Sequence, residues 1–164
     1  MKILKGIDDI LARIETVLLI SLLTFMISLA FLEVILRNFF SYGIVWGDIF
    51  LRYLVIWIAL LGASLATREG RHINIDIISR YLSWRWKTLT EVVVNIVSAT
   101  VCIFLSVAAW KFITDEWQSG GILFHNIPAW IMEIILPSAF ILITFRFIIR
   151  AIEGIIALSK GNSS

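Results

Sequence analysis

VVVNIVSATVCIFLSVAAW, residues 92–110, carries no charged side chain and would be apolar on every side of a helix. A helix of about 20 mostly apolar residues crosses the hydrocarbon core of a bilayer, which is roughly 30 Å thick. Lipid offers the backbone no hydrogen-bond partner, so a segment of this length satisfies its own N–H and C=O groups as a helix. The stretch therefore predicts a transmembrane helix.

Three further segments have the same character, at about 17–36, 48–66 and 127–145. The chain has 164 residues, of which 60% are hydrophobic and 16% are charged. A soluble domain is about half apolar and a quarter charged. We therefore predict an all-α integral membrane protein in which residues 1–164 form a single domain of four transmembrane helices. The last residues, 159–164, are predicted to be a disordered tail.

The basic residues predict the orientation, because Lys and Arg concentrate in cytoplasmic connections. Three lie before the first span, five lie between the second and third spans, and three follow the fourth, which makes 11 of the 14 in the chain. Both termini are therefore predicted to be cytoplasmic. The tryptophans agree, because indole rings favour the membrane interface. Four fall at the predicted outer boundary, namely Trp46, Trp110, Trp117 and Trp130. Trp84 and Trp86 fall at the inner boundary, and Trp57 falls in mid-span.

Two amphipathic segments are predicted on the cytoplasmic side. From Leu4 to Glu15 the apolar residues share one helical face, which favours a helix along the membrane surface before the first span. Residues 76–86, between the second and third spans, show a similar pattern and predict an interfacial helix. A short buried strand in HINIDII, residues 72–78, is the alternative for this connection.

The sequence contains no pattern of an enzyme or of a cofactor site. It has no phosphate-binding glycine loop, no nucleophile motif and no metal-spaced Cys/His cluster. His72 and His125 are predicted on opposite faces of the membrane, so a haem held by both histidines of one chain is not expected. Cys102 has no partner for a disulfide, and we interpret it as a small packing residue. The basic residues are scattered between apolar runs, which excludes a nucleic-acid interface and leaves membrane lipid as the surrounding partner.

Five charged residues remain near the outer ends of the spans. Glu33 and Arg37 are four residues apart at the end of the first span, and Asp48 and Arg52 repeat that spacing at the start of the second. Residues four apart on a helix can pair, and the short connection brings both pairs to one level. Glu133 enters from the same side in the fourth span. Three interpretations stay open: a structural network, an ion or substrate site, and contact with another membrane protein.

The sequence resembles a known family, the small membrane subunits of tripartite ATP-independent periplasmic (TRAP) transporters. The resemblance covers nearly the whole chain and follows the order of these motifs: LRNFF with Arg37, WGDIFLR with Trp46, Asp48 and Arg52, Gly62 with Ala66, GRHINID with Gly70 and His72, and Ile127-Pro128-x-Trp130 followed by Leu136-Pro137. The family commonly has two acidic residues after the tryptophan, whereas Ile49 follows Asp48 here.

The resemblance implies a non-catalytic subunit without a transport site of its own. In such transporters a periplasmic protein captures an organic acid, and a large membrane subunit carries it inward with sodium by an elevator motion. The small subunit forms a stable heterodimer with the large one and extends its fixed scaffold, while the binding protein docks transiently. It implies a bacterial inner-membrane location and substrates such as C4-dicarboxylates, sialic acids or other sugar acids. With the positional argument for Glu33 and Glu133, the residues predicted for the partner interface or structural network are Glu33, Arg37, Trp46, Asp48, Arg52, His72 and Glu133.

Two other functions remain as alternatives. The chain could anchor another membrane complex, such as a tripartite tricarboxylate transporter, whose small subunit also has four spans. It could instead anchor a haem-bearing redox enzyme, which a Soret band in the purified protein would reveal.

Overall fold

A computed structural model describes residues 2–69 and 84–160 of the chain. It contains five helices in these ranges: α1 (Lys2–Phe40), α2 (Gly47–Glu69), α3 (Trp84–Ser119), α4 (Ala129–Glu133) and α5 (Ile135–Lys160). Four segments, 6–40, 47–68, 85–119 and 129–159, are long and apolar enough to cross a membrane. The prediction of four apolar helices long enough to cross a membrane is thereby confirmed. The first three segments extend past both predicted ends, whereas the fourth begins two residues after its predicted start and continues past its predicted end.

The bundle has two different ends. The terminal end holds the start of α1, the end of α2, the start of α3 and the end of α5. The opposite end, called the loop end below, holds the two connections 41–46 and 120–128. His72 and most of the predicted interfacial helix at 76–86 lie outside the described residues. The predicted tail begins inside α5, which extends to Lys160, and residues 161–164 are likewise not described.

The helices pack in the order α1 on α2, α2 on α5, and α5 on α3. The interface of α3 with α5 contains a small core of Ala99, Ile143 and Phe147, and Cys102 packs against it as a half-buried residue. Gly154 lets the two helices approach closely, because a Cβ at this position would lie 2.4 Å from Val92 Cγ2. Small residues are typical of such close helix contacts in membranes.

The fourth span is interrupted at Ile134, which separates α4 from α5. Pro137 explains the break, because its ring has no N–H and would clash with the carbonyl of residue 133, one turn earlier. Trp57 of α2 donates a hydrogen bond of 2.8 Å from its indole nitrogen to the carbonyl of Met132. The mid-span tryptophan thus satisfies a backbone acceptor beside the break.

The connection at 120–128 is a tight turn rather than an open loop. Gly120 ends α3 with a φ of +69°, in the left-handed region that glycine adopts without strain. His125 and Asn126 both have positive φ, 47° and 60°, and Ile127 N–H donates 2.9 Å to the Phe124 carbonyl. This is the geometry of a type I′ hairpin turn. Pro128 then stands as the N-cap of α4.

The amphipathic segment from Leu4 to Glu15 is the first part of α1, which has no interruption before its span. Ile7, Ile10 and Ile14 are exposed, whereas Ala12 and Glu15 are buried. The acidic side of this segment therefore faces the bundle, and the apolar side faces outward. Its position relative to the membrane surface stays a prediction.

Candidate functional site

The most buried charged side chain of the described residues is Arg146 of α5, at the terminal end. Its guanidinium donates to Asp8 Oδ1 at 2.9 Å, to Glu15 Oε2 at 2.5 Å and to the hydroxyl of Ser64 at 2.7 Å. Asp8 and Glu15 belong to α1, and Ser64 belongs to α2. One side chain of α5 therefore binds two neighbouring helices at once.

Two further arginines extend this cluster toward the surface. Arg68, at the end of α2, donates 3.1 Å to Asp8 Oδ2 and also pairs with Asp9. Arg150, one turn after Arg146, donates 2.6 Å to the backbone carbonyl of Arg68. A guanidinium at this position satisfies one of the free carbonyls at the end of a helix and complements its negative dipole end. We call Asp8, Asp9, Glu15, Ser64, Arg68, Arg146 and Arg150 the terminal-end network.

The terminal-end network holds three helices together through two buried ion pairs, which Arg146 forms with Asp8 and with Glu15. Removing one member of a buried ion pair leaves the other charge uncompensated, which costs about 3–5 kcal/mol. Sequence reasoning missed this network and used Arg146 only as an indicator of orientation. The available signal was the seven-residue spacing of Asp8 and Glu15, which puts both carboxylates on one face of α1.

At the loop end, the predicted residues form separate contacts rather than one ion network. The Glu33 carboxylate packs over Gly47, where a Cβ would lie 3.1 Å from Glu33 Oε2. Gly47 is the first residue of α2, so the carboxylate lies beside the positive end of that helix. Asp48 and Arg52 are exposed, as is Arg37. Within the described ranges, none of these four charged residues forms an ion pair.

Trp46 connects the start of α2 to the turn before α4. Its ring stacks on Phe124, with centroids 5.7 Å apart and an interplanar angle of 27°. Phe50 meets Trp46 and Phe124 edge to face, at 6.1 Å and 6.0 Å, and Phe25 of α1 meets Phe50 in the same way at 6.1 Å. Such aromatic pairs contribute about 0.5–1.5 kcal/mol each beyond the area that they bury. This aromatic cluster, and not the charged residues, joins the helices at the loop end.

Glu133 lines a groove between α2, α3 and the break in the fourth span. The groove has a volume of about 390 Å³, and Arg52 and Tyr53 also line it. Tyr53 donates a long hydrogen bond of 3.4 Å to Glu133 Oε1. Glu133 Oε2 is buried and has no hydrogen-bond partner among the described residues. Of the predicted set, the structure thus brings Arg52 and Glu133 to one groove.

The described residues contain no group of three or more His, Cys, Asp or Glu side chains that could hold a metal ion. His125 occupies the tip of the turn at the loop end and is exposed.

Comparison with known protein families shows to which family this four-span protein belongs. The family model of the DctQ component of tripartite ATP-independent periplasmic transporters matches residues 26–157. The chain belongs to this DctQ family. The match extends from α1 to α5 and includes the groove and the aromatic cluster apart from Phe25. Members of the family are permease subunits of transporters, and the four membrane-spanning segments identify this one as a multi-pass membrane protein.

Individual relatives agree with the DctQ assignment. The chain is 25% identical over 158 residues to the C4-dicarboxylate TRAP transporter small permease protein DctQ of Vibrio cholerae, covering 82% of this chain and 68% of the relative. It is 24% identical over 154 residues to the ectoine TRAP transporter small permease protein TeaB of Halomonas elongata, covering 93% and 80%. Two Haemophilus influenzae relatives with TRAP small permease names match at 28% and 29% identity, and the matches span 66% and 74% of their length.

A fifth relative has a different size. The sialic acid TRAP transporter permease protein SiaT of Haemophilus influenzae is 26% identical over 117 residues, which cover 71% of this chain but only 19% of SiaT. The DctQ-like part is therefore a small portion of that longer permease.

Proposed function

We propose that this chain is the non-catalytic scaffold subunit of a sodium-coupled TRAP importer that depends on a periplasmic binding protein. It binds the large, elevator-type membrane subunit in a stable heterodimer and braces it while the substrate is carried. The binding protein docks only transiently. The match to a small part of SiaT supports this pairing, because it is what a small subunit joined to a larger permease in one chain would produce.

One structural observation carries the bracing role: Arg146 binds side chains of both α1 and α2 while being almost completely buried. A carrier that moves across the membrane needs a neighbour that does not deform. Buried, hydrogen-bonded ion networks fix helices relative to one another, because moving one helix would leave charges unpaired. The terminal-end network therefore supports a rigid partner rather than a mobile carrier.

The proposed substrate is an organic acid, such as a C4-dicarboxylate, a sialic acid or another sugar acid. The named systems of the relatives transport a C4-dicarboxylate, sialic acid and ectoine, which is consistent with small polar metabolites. Their variety agrees with our proposal that substrate recognition lies in the other two components. We place the chain in the bacterial inner membrane with both termini cytoplasmic, and reporter fusions after residues 43 and 160 would test that orientation.

Reconstitution of the transporter tests this function. The large subunit and the binding protein are placed in proteoliposomes with a sodium gradient, with and without this chain, and uptake of labelled organic acids is measured. Uptake is expected only when all three components and sodium are present. Uptake by this chain alone, or full uptake without it, would contradict the scaffold role.

A variant at the loop end tests assembly. Arg52→Ala is expected to weaken association with the large subunit or to lower uptake, whereas the affinity of the periplasmic protein for substrate stays unchanged. Asp115→Ala, which removes another exposed charge at the end of α3, is the matched control. Normal assembly and uptake in Arg52→Ala would reduce Arg52 to a local role.

A further inference from the structure

The groove beside the break in the fourth span is lined mainly by apolar side chains. Its polar side chains lie together, and we call them the polar corner. Ile49 and Ile56 of α2, Phe112 of α3 and Leu136 of α5 provide apolar lining. Arg52, Tyr53 and Glu133 are its polar side chains. A groove of this composition receives a mostly apolar object that carries a hydrogen-bonding group at one point.

The polar corner is incomplete in the described chain. Glu133 Oε1 has only the 3.4 Å contact with Tyr53, and Glu133 Oε2 is buried without a hydrogen-bond partner. Carboxylates at membrane depth pair with cations or line cavities, because an unpaired one is costly to bury. Tyr53 has a single proton to donate, so it cannot satisfy both oxygens.

Arg52 does not complete the corner, although it lines the same groove. Its side chain is exposed and forms no ion pair with the described residues. The cation that Glu133 lacks is therefore expected from outside this chain. Glu15 of the terminal-end network also has one buried oxygen without a hydrogen-bond partner among the described residues, but its other oxygen pairs with Arg146. Glu133 differs because neither of its oxygens pairs with a cation of the described residues.

We propose that this groove receives a lysine or arginine side chain of the large membrane subunit, which pairs with Glu133 while apolar neighbours of that residue pack on Ile49, Ile56 and Leu136. The inference rests on the proposed function, because it names the chemistry by which the large subunit is recognised. A small rotation of the carboxylate presents the unsatisfied oxygen to the incoming cation. Arg52, at the exposed side of the groove, is then free to meet an acidic residue of the same partner.

The test measures the affinity between the purified chain and the large subunit in detergent. Glu133→Gln keeps the size of the side chain and removes its charge, and is expected to weaken binding by about thirtyfold or more, as loss of one partner of a buried interfacial charge pair does. Asp115→Asn removes an exposed carboxylate outside the groove and is expected to bind normally. Unchanged affinity in Glu133→Gln would overturn the proposal. No binding by the unsubstituted chain would instead refute the scaffold function itself.

A charge reversal separates the proposed contact from an internal ion pair. Glu133→Arg is expected to abolish binding, and the double variant Arg52→Glu, Glu133→Arg is expected not to restore it. Recovery in the double variant would show that Arg52 is the natural partner and would overturn the proposal. Retention of a phospholipid by the isolated chain in native mass spectrometry, lost in Glu133→Gln, would overturn it in favour of a lipid.

A genetic selection gives an answer that does not depend on the stability of one variant. Substitutions in either chain that restore the two-hybrid association of the Glu133→Arg variant with the large subunit are isolated. The proposal expects replacements of one Lys or Arg by Asp or Glu. Restoring substitutions that fall only within this chain would contradict it.

Discussion

Arg146 Nη2 lies 2.5 Å from Glu15 Oε2, and the two side chains are only 2% and 5% exposed. The pair joins the first and last helices of the bundle across 131 residues of sequence. Asp8 and Ser64 occupy further nitrogens of the same guanidinium. The arginine that follows the apolar part of the fourth span is thus an interior residue, and the bundle closes around it.

Replacing Arg146 by Met is expected to lower the free energy of unfolding by about 3–5 kcal/mol, because Asp8 and Glu15 lose their buried counter-charge. Titration with a denaturing detergent in mixed micelles measures this change. The same substitution at Arg13, an exposed arginine of α1, is the control and is expected to change it by less than about 0.5 kcal/mol. Equal stability of the two variants would show that the buried network contributes nothing.

The triple variant Asp8→Asn, Glu15→Gln, Arg146→Met is expected to be more stable than Arg146→Met alone. Buried ion pairs that are replaced as a whole by neutral groups cost far less than pairs broken on one side. The same unfolding measurement compares the two. A triple variant that is less stable than the single one would mean that the neutral groups are themselves left unsatisfied.

The four spans were predictable because hydropathy depends on local composition alone. The uncharged residues 92–110 lie in the middle of α3 and required no knowledge of any neighbour. The ends of the helices were less predictable. The first helix includes the polar residues before its span, where Asp8 pairs with Arg68 and Arg146 and Glu15 pairs with Arg146. These ion pairs join distant parts of the sequence, so they exist only once the chain has folded.

Gly154→Ala is expected to destabilise the protein by about 1–3 kcal/mol, the usual cost of overpacking a close contact. The new methyl group would meet Val92 Cγ2 at 2.4 Å in the interface of α3 with α5. Thermal unfolding followed by tryptophan fluorescence checks this. Gly6→Ala is the control, because a methyl group at this helical position would meet no other part of the protein within 4 Å, and the variant is expected to be neutral or stabilising. Val92→Ala should recover part of the loss in Gly154→Ala, and failure to do so would locate the strain elsewhere.

Asn126→Val is expected to cost about 1–2 kcal/mol, because Asn126 has a φ of 60° and a branched side chain is strained there. Asn126→Gly keeps the turn and is the matched control. Thermal unfolding measures both variants, and fluorescence of Trp46 reports whether Phe124 still stacks on it. A valine variant as stable as the glycine variant would show that the turn changes type without cost.

The loop end shows how far residue spacing predicts a site. Spacing predicted Glu33, Asp48 and Arg52 near one level, and in the structure they lie at the loop end of the bundle. It could not predict that Glu33 would pack over Gly47, or that Glu133 would share a groove with Arg52. Those relationships depend on the rotation of each helix about its axis, which the packing of Trp46 and Phe124 helps to set.

Trp57→Phe is expected to destabilise the break in the fourth span by about 1–3 kcal/mol, because the Met132 carbonyl loses its 2.8 Å hydrogen bond and is left without a donor in an apolar setting. Hydrogen exchange of peptides covering residues 129–140 is expected to increase in this variant. Trp110→Phe removes an indole that is 61% exposed and is the control. If both variants exchange alike, the indole of Trp57 acts only by its bulk, and the break depends on Pro137 alone.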